Sequence, residues 1–568
     1  MENLRAPADP EKKRKSFCIV RKKEITGSVQ PDGTGIQFLY LDDGRLAGSA
    51  GIAGNITDPE ILKMLETAEG FRALVHSIGV CVEAQDPEEV ITFAFQMYGK
   101  TDRYESGTTL RMPVRADGME YILRLDDADW SEDDEIPGQI RFEFRKAGEL
   151  AQATVRLYLK DGFDAPEEEE ESGVDFDSDA YRKMIARSLM QTGNPSALKC
   201  AIRKARNGED ITIAFIGGSI TQGAGAVPIH TQCYARKAFE GLCGLAGKGM
   251  GENIHYVKAG VGGTSSELGM IRYERDVLRG GSVTPDIVVV EFAVNDEGDE
   301  TKGECYDSLV RKILRGENHP AVILLFSVFA DDWNLQERLS VVGKAYDLPM
   351  VSIRDAVTDQ FHLTGSRRVV SKFQFFYDSY HPTNIGHRIM ADSLIELMRK
   401  VDEEGAEEDG VPAFSEEIKP PLGGEFQNVK LLDRRQNECG ARIDCGDFVH
   451  TDEDLQAVER DMNLVPTPEF PYNWFYQGDR ESPAPFVMDI RCTALLLVYK
   501  DSGSARFGRA EVFVDGKKAL LADPSVIGWT HCNAVICMRG AEQMEHHVEI
   551  HMKDNDKCFT ILGFGYVE

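Results

Sequence analysis

The sequence predicts an α/β domain with a parallel sheet, flanked on each side by a β-sandwich domain. Residues 180–405 alternate between short apolar stretches and amphipathic ones, whereas residues 1–165 and 425–568 alternate apolar and polar residues at period two. Two acidic stretches separate these segments. At 568 residues the chain is also longer than one hydrophobic core usually supports. We therefore expect three domains with these boundaries.

The acidic stretches are predicted to be linkers or solvated loops. The first, "DGFDAPEEEEESGVDFDSD" (161–179), holds ten carboxylates and no basic residue, and the second, "VDEEGAEEDGVPAFSEEIKPPLGG" (401–424), adds prolines and glycines. A run of like charges resists burial, so neither stretch is expected inside a core.

The middle segment predicts strands and helices in turn. The stretches rich in β-branched residues are "ITIAFIGG", "IHYVKAG", "DIVVVEFAV", "AVILLFSVF" and "PMVSI". Between them, "CYARKAFEGLCGLAG", "SSELGMIRYERDVLRG" and "ECYDSLVRKILRG" space their apolar residues by three and four. Such alternation predicts a parallel sheet covered by helices on both faces, with its functional groups at the carboxyl ends of the strands.

The outer segments predict antiparallel strands separated by turns. In the first these are "EEVITFAFQMYG", "MEYILRLDDADW", "GQIRFEFRK" and "ATVRLYLK", and in the third "FVMDIRCTALLLVYK", "AEVFVDGKKALL", "HHVEIHMK" and "CFTILGFGYVE". The stretch "PEILKMLETAEGFRALVHSIG" (59–79) predicts a helix within the first domain.

Composition excludes several classes of partner. The formal net charge is −31, from 95 acidic and 64 basic residues, so nucleic acid and anionic membranes are not expected, while neutral sugars are not excluded. No apolar run approaches a membrane span, and the N-terminal residues lack the apolar stretch of a signal peptide. Twelve scattered cysteines without CxxC spacing indicate free thiols and a cytoplasmic location. A homo-oligomer is compatible with the sequence.

Four polar clusters fall where we expect strands of the middle segment to end. They are "GGS" with Ser219, "AGVGGTSS" with Gly263, "FAVND" with Asn295, and "DSYHP" with Asp378 and His381. Serine hydrolysis requires these groups: a hydroxyl, a base for its proton, an acid that orients the base, and donors for the oxyanion. Each cluster alone is an ordinary turn or helix cap, but their combination in this order favours a hydrolase.

In this order and context the four clusters resemble the SGNH (GDSL-type) hydrolase family over about residues 210–398. The resemblance implies a flavodoxin-like three-layer α/β/α core with Ser219 as nucleophile and His381 as general base. It implies that Asp378 orients His381, although a carboxylate that merely holds the "YDSY" loop is the alternative. No metal or organic cofactor is implied.

The same resemblance implies an oxyanion hole made of the backbone amides of Ser219 and Gly263 and the side-chain amide of Asn295. Two positions depart from the family pattern. Gly218 stands where the family commonly has aspartate before the serine, which leaves activity little in doubt. Ala293 stands where the third block usually begins with glycine, and we expect its methyl to be tolerated, although it can narrow the acyl pocket.

Aromatic residues of the third segment are candidates for binding a sugar ring. Trp474 and Trp529, with Tyr472 and Tyr476, would offer flat faces for stacking. Aromatic residues of a β-sandwich more often belong to its core, which is the alternative for all four.

Three other features have plainer explanations. Glu291, inside a predicted central strand, is expected to pair with a basic side chain behind the site. His547 and His551 would share one face of a strand as in a metal site, but we favour solvated surface histidines. The glycine-rich stretch 241–249 lacks the spacing of a phosphate loop, and we reject that interpretation.

Within the family, "GGSIT" and "EFAVND" in a core flanked by β-sandwiches look most like bacterial carbohydrate acetylesterases that deacetylate xylan or mannan. The expected substrate is thus an acetylated oligosaccharide, deacetylated through an acyl-enzyme on Ser219. Two alternatives stay open. A general short-chain esterase or thioesterase would hydrolyse aryl acetates without preferring sugars, and a catalytically silent carbohydrate-binding protein would release no acetate.

Overall fold

The computed structural model describes residues 14–30, 35–41, 45–166, 172–298, 300–363, 365–403, 411, 413–540 and 542–568. Parts of the two predicted linkers, 167–171 in the first and 404–410 with 412 in the second, lie outside the described residues. The chain forms two compact units. One comprises Met1–Gly173 and Lys372–Tyr380, and the other Val174–Ser371 and His381–Glu568.

The first unit holds two antiparallel sheets, with the orders β1-β9-β4-β7 and β2-β3-β8-β5-β6. Side chains such as Phe71, Phe93 and Phe142 are buried in its core. The elements are β1 (Ser16–Thr26), β2 (Ser28–Val29), β3 (Ile36–Leu41), α1 (Leu46–Ala53), α2 (Pro59–Met64), α3 (Ala68–Leu74), β4 (Val75–Ala84), β5 (Val90–Gly99), β6 (Thr109–Arg115), β7 (Asp117–Arg124), β8 (Asp134–Glu143) and β9 (Leu150–Leu159).

The helix predicted over residues 59–79 is wrong in length. The structure has the two short helices α2 and α3, and β4 begins directly at Val75. Thr67 explains the break, because its hydroxyl accepts a hydrogen bond from the Gly70 amide and so starts a new helix.

The second unit contains a six-stranded sheet in the order β10-β15-β14-β13-β11-β12. Its strands are β10 (Leu189–Gln191), β11 (Ile211–Gly217), β12 (Ile254–Gly260), β13 (Ile287–Glu291), β14 (Ala321–Phe326) and β15 (Met350–Ser352). The predicted parallel arrangement is confirmed for five strands, whereas β10 pairs antiparallel with β15. Gly217 of β11 pairs with Gly260 and with Glu291, so three neighbouring strands end at one edge.

Helices connect these strands, and the three predicted ones appear as α8, α9 and α10. The helices of this unit are α4 (Asp179–Ala186), α5 (Ser196–Asn207), α6 (Ser219–Gln222), α7 (Ile229–Gln232), α8 (Tyr234–Ala246), α9 (Ser266–Asp276), α10 (Glu304–Leu314), α11 (Gln336–Ala345), α12 (Ile353–Phe361) and α13 (Asn384–Glu403). Among the described residues, no helix is long and apolar enough to cross a membrane.

Residues 430–567, which we call the C-terminal domain, form two five-stranded antiparallel sheets and a two-stranded one, β18-β19. The five-stranded sheets have the orders β16-β27-β22-β25, with β20 also paired to β27, and β17-β21-β26-β23-β24. The strands are β16 (Lys430–Leu432), β17 (Arg442–Asp444), β18 (Ala457–Val458), β19 (Thr467–Pro468), β20 (Trp474–Tyr476), β21 (Phe486–Cys492), β22 (Ala494–Asp501), β23 (Ala510–Val514), β24 (Lys517–Ala522), β25 (His531–Met538), β26 (Met544–Met552) and β27 (Phe559–Val567). Ile271 of α9 and Leu496 of β22 belong to one buried cluster, so this domain and the six-stranded sheet share a core.

The segment Lys372–Tyr380 packs into the first unit although it lies far along the chain. The Tyr40 hydroxyl donates a hydrogen bond to the Tyr377 carbonyl (2.9 Å), and the Tyr377 hydroxyl donates one back to the Tyr40 carbonyl (2.7 Å). The buried Lys23 ammonium donates to the carbonyl of Phe376 (2.9 Å). These reciprocal bonds fix the backbone just before residue 381.

Candidate active site

The structure brings Ser219 and His381 into contact. Ser219 follows β11 by two residues and opens the single turn of α6, and His381 lies three residues before α13. The His381 Nε2 atom lies 3.0 Å from the Ser219 Oγ atom. Both side chains are half-buried. At this distance the imidazole can accept the hydroxyl proton as the oxygen attacks.

The position predicted for "DSYHP" at a strand end is wrong. Asp378 and His381 lie between a helical turn at Lys372–Phe375 and α13. Asp378 is buried, and its Oδ1 accepts a hydrogen bond from the Tyr380 amide (2.7 Å). Through this bond the Asp378 carboxylate stabilises its own loop. The bond uses one of the two carboxylate oxygens, so the orientation of His381 by Asp378 stays a proposal.

Asn295 lies directly against the nucleophile loop. A Cβ atom built on Gly218 would stand 2.3 Å from Asn295 Oδ1 and 2.7 Å from its Nδ2. Only glycine therefore allows this approach, which explains why no aspartate precedes the serine here. The Asn295 amide from the β13 loop thus reaches the backbone of the residue before Ser219.

Gly263 lies in the loop that follows β12, beside the same serine. Its φ is +70°, a conformation that favours glycine, and it is exposed. A Cβ atom on the preceding Gly262 would stand 3.8 Å from Ser219 Cβ. The three predicted sources of oxyanion donors, Ser219, Gly263 and Asn295, therefore occupy adjoining loops at one sheet edge.

The two tryptophans predicted to bind substrate have different environments. Trp474 is 4% exposed and packs edge-on against Phe486 with ring centroids 5.2 Å apart, so its predicted binding role is wrong. Trp529 is partly exposed, and its ring would stand 2.7 Å from a Cβ atom on Gly263. Trp529 thus brings an aromatic side chain of the C-terminal domain to the predicted oxyanion loop.

Arg272 is a supporting residue that our sequence analysis missed. Its fully buried guanidinium donates hydrogen bonds to the carbonyls of Gly217 (2.8 Å) and Ala259 (2.7 Å), near the ends of β11 and β12. It thereby ties together the two strands that precede Ser219 and Gly263. The available signal was its place on α9 four residues after Leu268, which puts an arginine on the apolar face.

Asp296 is a second such residue, adjacent to Asn295. Its buried carboxylate accepts hydrogen bonds from the backbone amide (2.8 Å) and the hydroxyl (2.7 Å) of Ser266, the first residue of α9. An aspartate at a helix start satisfies an amide that the helix leaves open. The loop after β13 is thus anchored to the helix that follows the Gly263 loop.

Among the residues that the structure describes, Glu291 forms no ion pair with a basic side chain behind the site, contrary to our prediction; the basic group that interacts with it electrostatically is His381 of the site itself. The Thr221 hydroxyl donates a hydrogen bond to its Oε2 (3.2 Å), and Tyr234 in turn contacts that hydroxyl (2.8 Å). Complete burial raises the pKa of Glu291 to about 7, although Ser327, Thr221 and the Gly218 amide favour the charged form. A titrating carboxyl therefore lies directly behind the nucleophile loop.

This raised pKa predicts a pH-dependent effect of Glu291→Gln on stability. Between pH 4.5 and about 7 the folded protein holds a proton that the unfolded chain has released, so the contribution of Glu291 to stability falls as pH rises through this window. The variant lacks this titration. Urea denaturation should give similar stabilities at pH 5, and at pH 8 a variant more stable by about 3 kcal/mol. An equal difference at both pH values would contradict the assignment.

Comparisons with known proteins identify a matching family and similar structures. Residues 215–389 match the model of the GDSL-like Lipase/Acylhydrolase family, which confirms the family resemblance for this part of the chain. A two-domain esterase active on acetylated mannans is similar in structure, with 25% identity, a TM-score of 0.57, and coverage of 68% of this chain and 99% of its own. A structure of a two-domain esterase active on acetylated mannans, co-crystallised with mannopentaose, is similar as well. It has 24% identity and a TM-score of 0.55, and the match covers 68% of this chain and 98% of that one. No curated protein matches the sequence.

Proposed function

We propose that this chain, in which residues 215–389 form a domain of the GDSL-like lipase/acylhydrolase family, is a serine esterase that removes O-acetyl groups from carbohydrates. The observation that carries the proposal is the 3.0 Å contact between Ser219 Oγ and His381 Nε2. Gly263 and Asn295 lie close to the nucleophile loop, and they are the oxyanion donors in this proposal.

In the proposed reaction, Ser219 Oγ attacks the acetyl carbonyl and its proton passes to His381 Nε2. The developing oxyanion accepts hydrogen bonds from the backbone amides of Ser219 and Gly263 and from the Asn295 side chain, each donor being worth about 2.7–4 kcal/mol of the barrier. His381 returns the proton to the leaving sugar hydroxyl. Water activated by His381 then releases acetate, with Asp378 as the orienting acid.

Mannan-type oligosaccharides are the substrate class that we favour. The structurally similar two-domain esterase acts on acetylated mannans and covers 68% of this chain, and Trp529 offers an aromatic wall beside Gly263 where a sugar ring would lie. Xylan-derived oligosaccharides remain the second class. With the predicted cytoplasmic location, short oligosaccharides rather than the polymer would reach the enzyme.

The test is acetate release from acetylated manno- and xylo-oligosaccharides, beside p-nitrophenyl acetate and a longer acyl ester. Ser219→Ala removes the nucleophile and is expected to lower kcat by at least about 10⁴-fold on every substrate that the wild type hydrolyses. Binding of the sugar to the variant should persist, because the hydroxyl contributes little to substrate affinity.

The alternatives give different results in the same assay. A general short-chain esterase or thioesterase would hydrolyse the aryl acetate without preferring either sugar. A silent carbohydrate-binding protein would bind oligosaccharides and release no acetate that depends on Ser219, and that outcome would exclude the enzyme.

A further inference from the structure

Two side chains of residues 425–568 hold the Gly262–Gly263 backbone. The Gln456 Nε2 donates a hydrogen bond to the Gly262 carbonyl (2.8 Å), and the His531 Nε2 donates one to the Gly263 carbonyl (2.9 Å). Gln456 directly precedes β18, and His531 is the first residue of β25. The two consecutive carbonyls are thus both fixed by residues more than 190 positions further along the chain.

Fixing the Gly262 carbonyl also fixes the Gly263 amide. The carbonyl of one residue and the N–H of the next belong to the same planar trans peptide and point in opposite directions. Because Gln456 binds the carbonyl, the Gly263 N–H must point away from Gln456. Gly262 and Gly263 are both glycines, so without this bond their backbone would have wide conformational freedom.

Gln456 is itself oriented by a second contact. Its Oε1 accepts a hydrogen bond from the Cys532 amide (3.0 Å), so its Nε2 must be the atom that faces Gly262. The Gly262 amide, on the other side, donates to Gln222 Oε1 (2.8 Å), which follows Ser219 on α6. Gly262 is therefore held on both sides, with its N–H bonded to the nucleophile helix and its carbonyl bonded to the C-terminal domain.

His531 is oriented in the same manner by a buried acid. Its Nδ1 lies 3.4 Å from Asp501 Oδ2, and the two residues are 5% and 0% exposed. A carbonyl oxygen can only accept a hydrogen bond, so the Nε2 atom that faces Gly263 carries a hydrogen. The other ring nitrogen, Nδ1, faces the Asp501 carboxylate. This histidine–aspartate pair is distinct from His381, and its histidine contacts the Gly263 backbone.

We propose that Gln456 and His531 are positioning residues for the Gly263 amide of the oxyanion hole: Gln456 holds the carbonyl of the peptide that carries this amide, and His531 holds the carbonyl of the next peptide. The inference rests on the proposed function and deepens it. The C-terminal domain then contributes to the rate of acyl transfer itself, for substrates that carry no sugar at all. A domain that only bound carbohydrate would affect oligosaccharides alone.

The test uses the full chain with p-nitrophenyl acetate, which lacks a sugar. Gln456→Glu, which replaces the donor by an acceptor of the same shape, and His531→Ala are each expected to lower kcat at least tenfold while KM changes less than twofold. His531→Gln, whose amide can reach the Gly263 carbonyl, should recover part of the loss. The kcat of each variant is calculated from its concentration of active sites.

His546→Ala is the matched control. Like His531, His546 is buried (4% exposed), and its Nδ1 atom lies 2.8 Å from an aspartate oxygen, Asp515 Oδ2. It lies on β26 rather than β25, and this aspartate belongs to the same domain. It should retain kcat within twofold. If Gln456→Glu and His531→Ala both keep the kcat of the wild type, or if His546→Ala loses as much kcat as His531→Ala, the positioning role is wrong.

A second readout separates this inference from the proposed function. The rate at which a p-nitrophenyl phosphonate labels Ser219 also depends on the oxyanion donors but needs no ester turnover. If the wild type hydrolyses no ester, the proposed function fails, yet slower labelling in Gln456→Glu and His531→Ala would still support the positioning role. Unchanged labelling in both variants would overturn it.

Discussion

Gly218→Ala is expected to lower kcat/KM on aryl acetates by about 100-fold or more. The added methyl would stand 2.3 Å from Asn295 Oδ1, closer than any real contact, so the Asn295 amide or the nucleophile loop must move. Loss of one oxyanion donor costs about 10²–10³ in kcat, and displacement of Asn295, a donor in the proposed mechanism, should have the effect of such a loss. The φ of Gly218 is −87°, outside the left-handed region, so the prediction rests on the close approach of Asn295.

Gly244→Ala provides the control for this prediction. Gly244 lies within α8, and a Cβ atom there has no heavy atom within 4 Å. Activity should be unchanged, and the melting temperature should rise slightly because alanine favours a helix by up to about 1 kcal/mol. Full activity of Gly218→Ala would show that Asn295 does not need its present position.

Arg272→Met is expected to have the largest effect on stability, about 3–5 kcal/mol in denaturant unfolding. The substitution leaves the Gly217 and Ala259 carbonyls without their buried donor, and it removes one cation from the buried Asp276 carboxylate (3.3 Å). Neighbouring arginines hold the pKa of Asp276 well below its usual range, so this carboxylate stays charged.

Arg272→Lys should fall short of the wild type too, since one ammonium does not reproduce the planar fork that reaches two strands. The control is Arg399→Met on α13, whose exposed pairs with Glu396 and Glu403 are expected to contribute less than about 1 kcal/mol. Equal losses at Arg272 and Arg399 would contradict the role assigned to the buried guanidinium.

The sequence predicted those parts of the fold that depend on local pattern. Apolar strands that end in small and polar residues located Ser219, Gly263 and Asn295, because parallel strands deliver their carboxyl ends to one edge. The pattern was misleading where a short-range signal competed with it. Thr67 splits the helix predicted over 59–79, and "DSYHP" follows a helical turn instead of a strand.

Contacts between distant segments could not be predicted from the pattern. Both Trp474 and Trp529 were candidates for binding a sugar, and only the structure shows that the first is buried against Phe486 while the second lies against Gly263. The same holds for His531 and Gly263, which are 268 positions apart. Such contacts depend on how distant segments pack together, and the periodicity of a sequence does not predict that packing.

The packing of Lys372–Tyr380 has a consequence for how this protein can be shortened or recombined. In sequence order the first domain looks like a detachable module, yet residues 1–173 hold the carbonyls of Phe376 and Tyr377 through Lys23 and Tyr40. A chain begun at residue 174 would expose the buried ring of Tyr377, four positions before His381. Any exchange of the first domain must therefore carry the matching nine-residue segment with it.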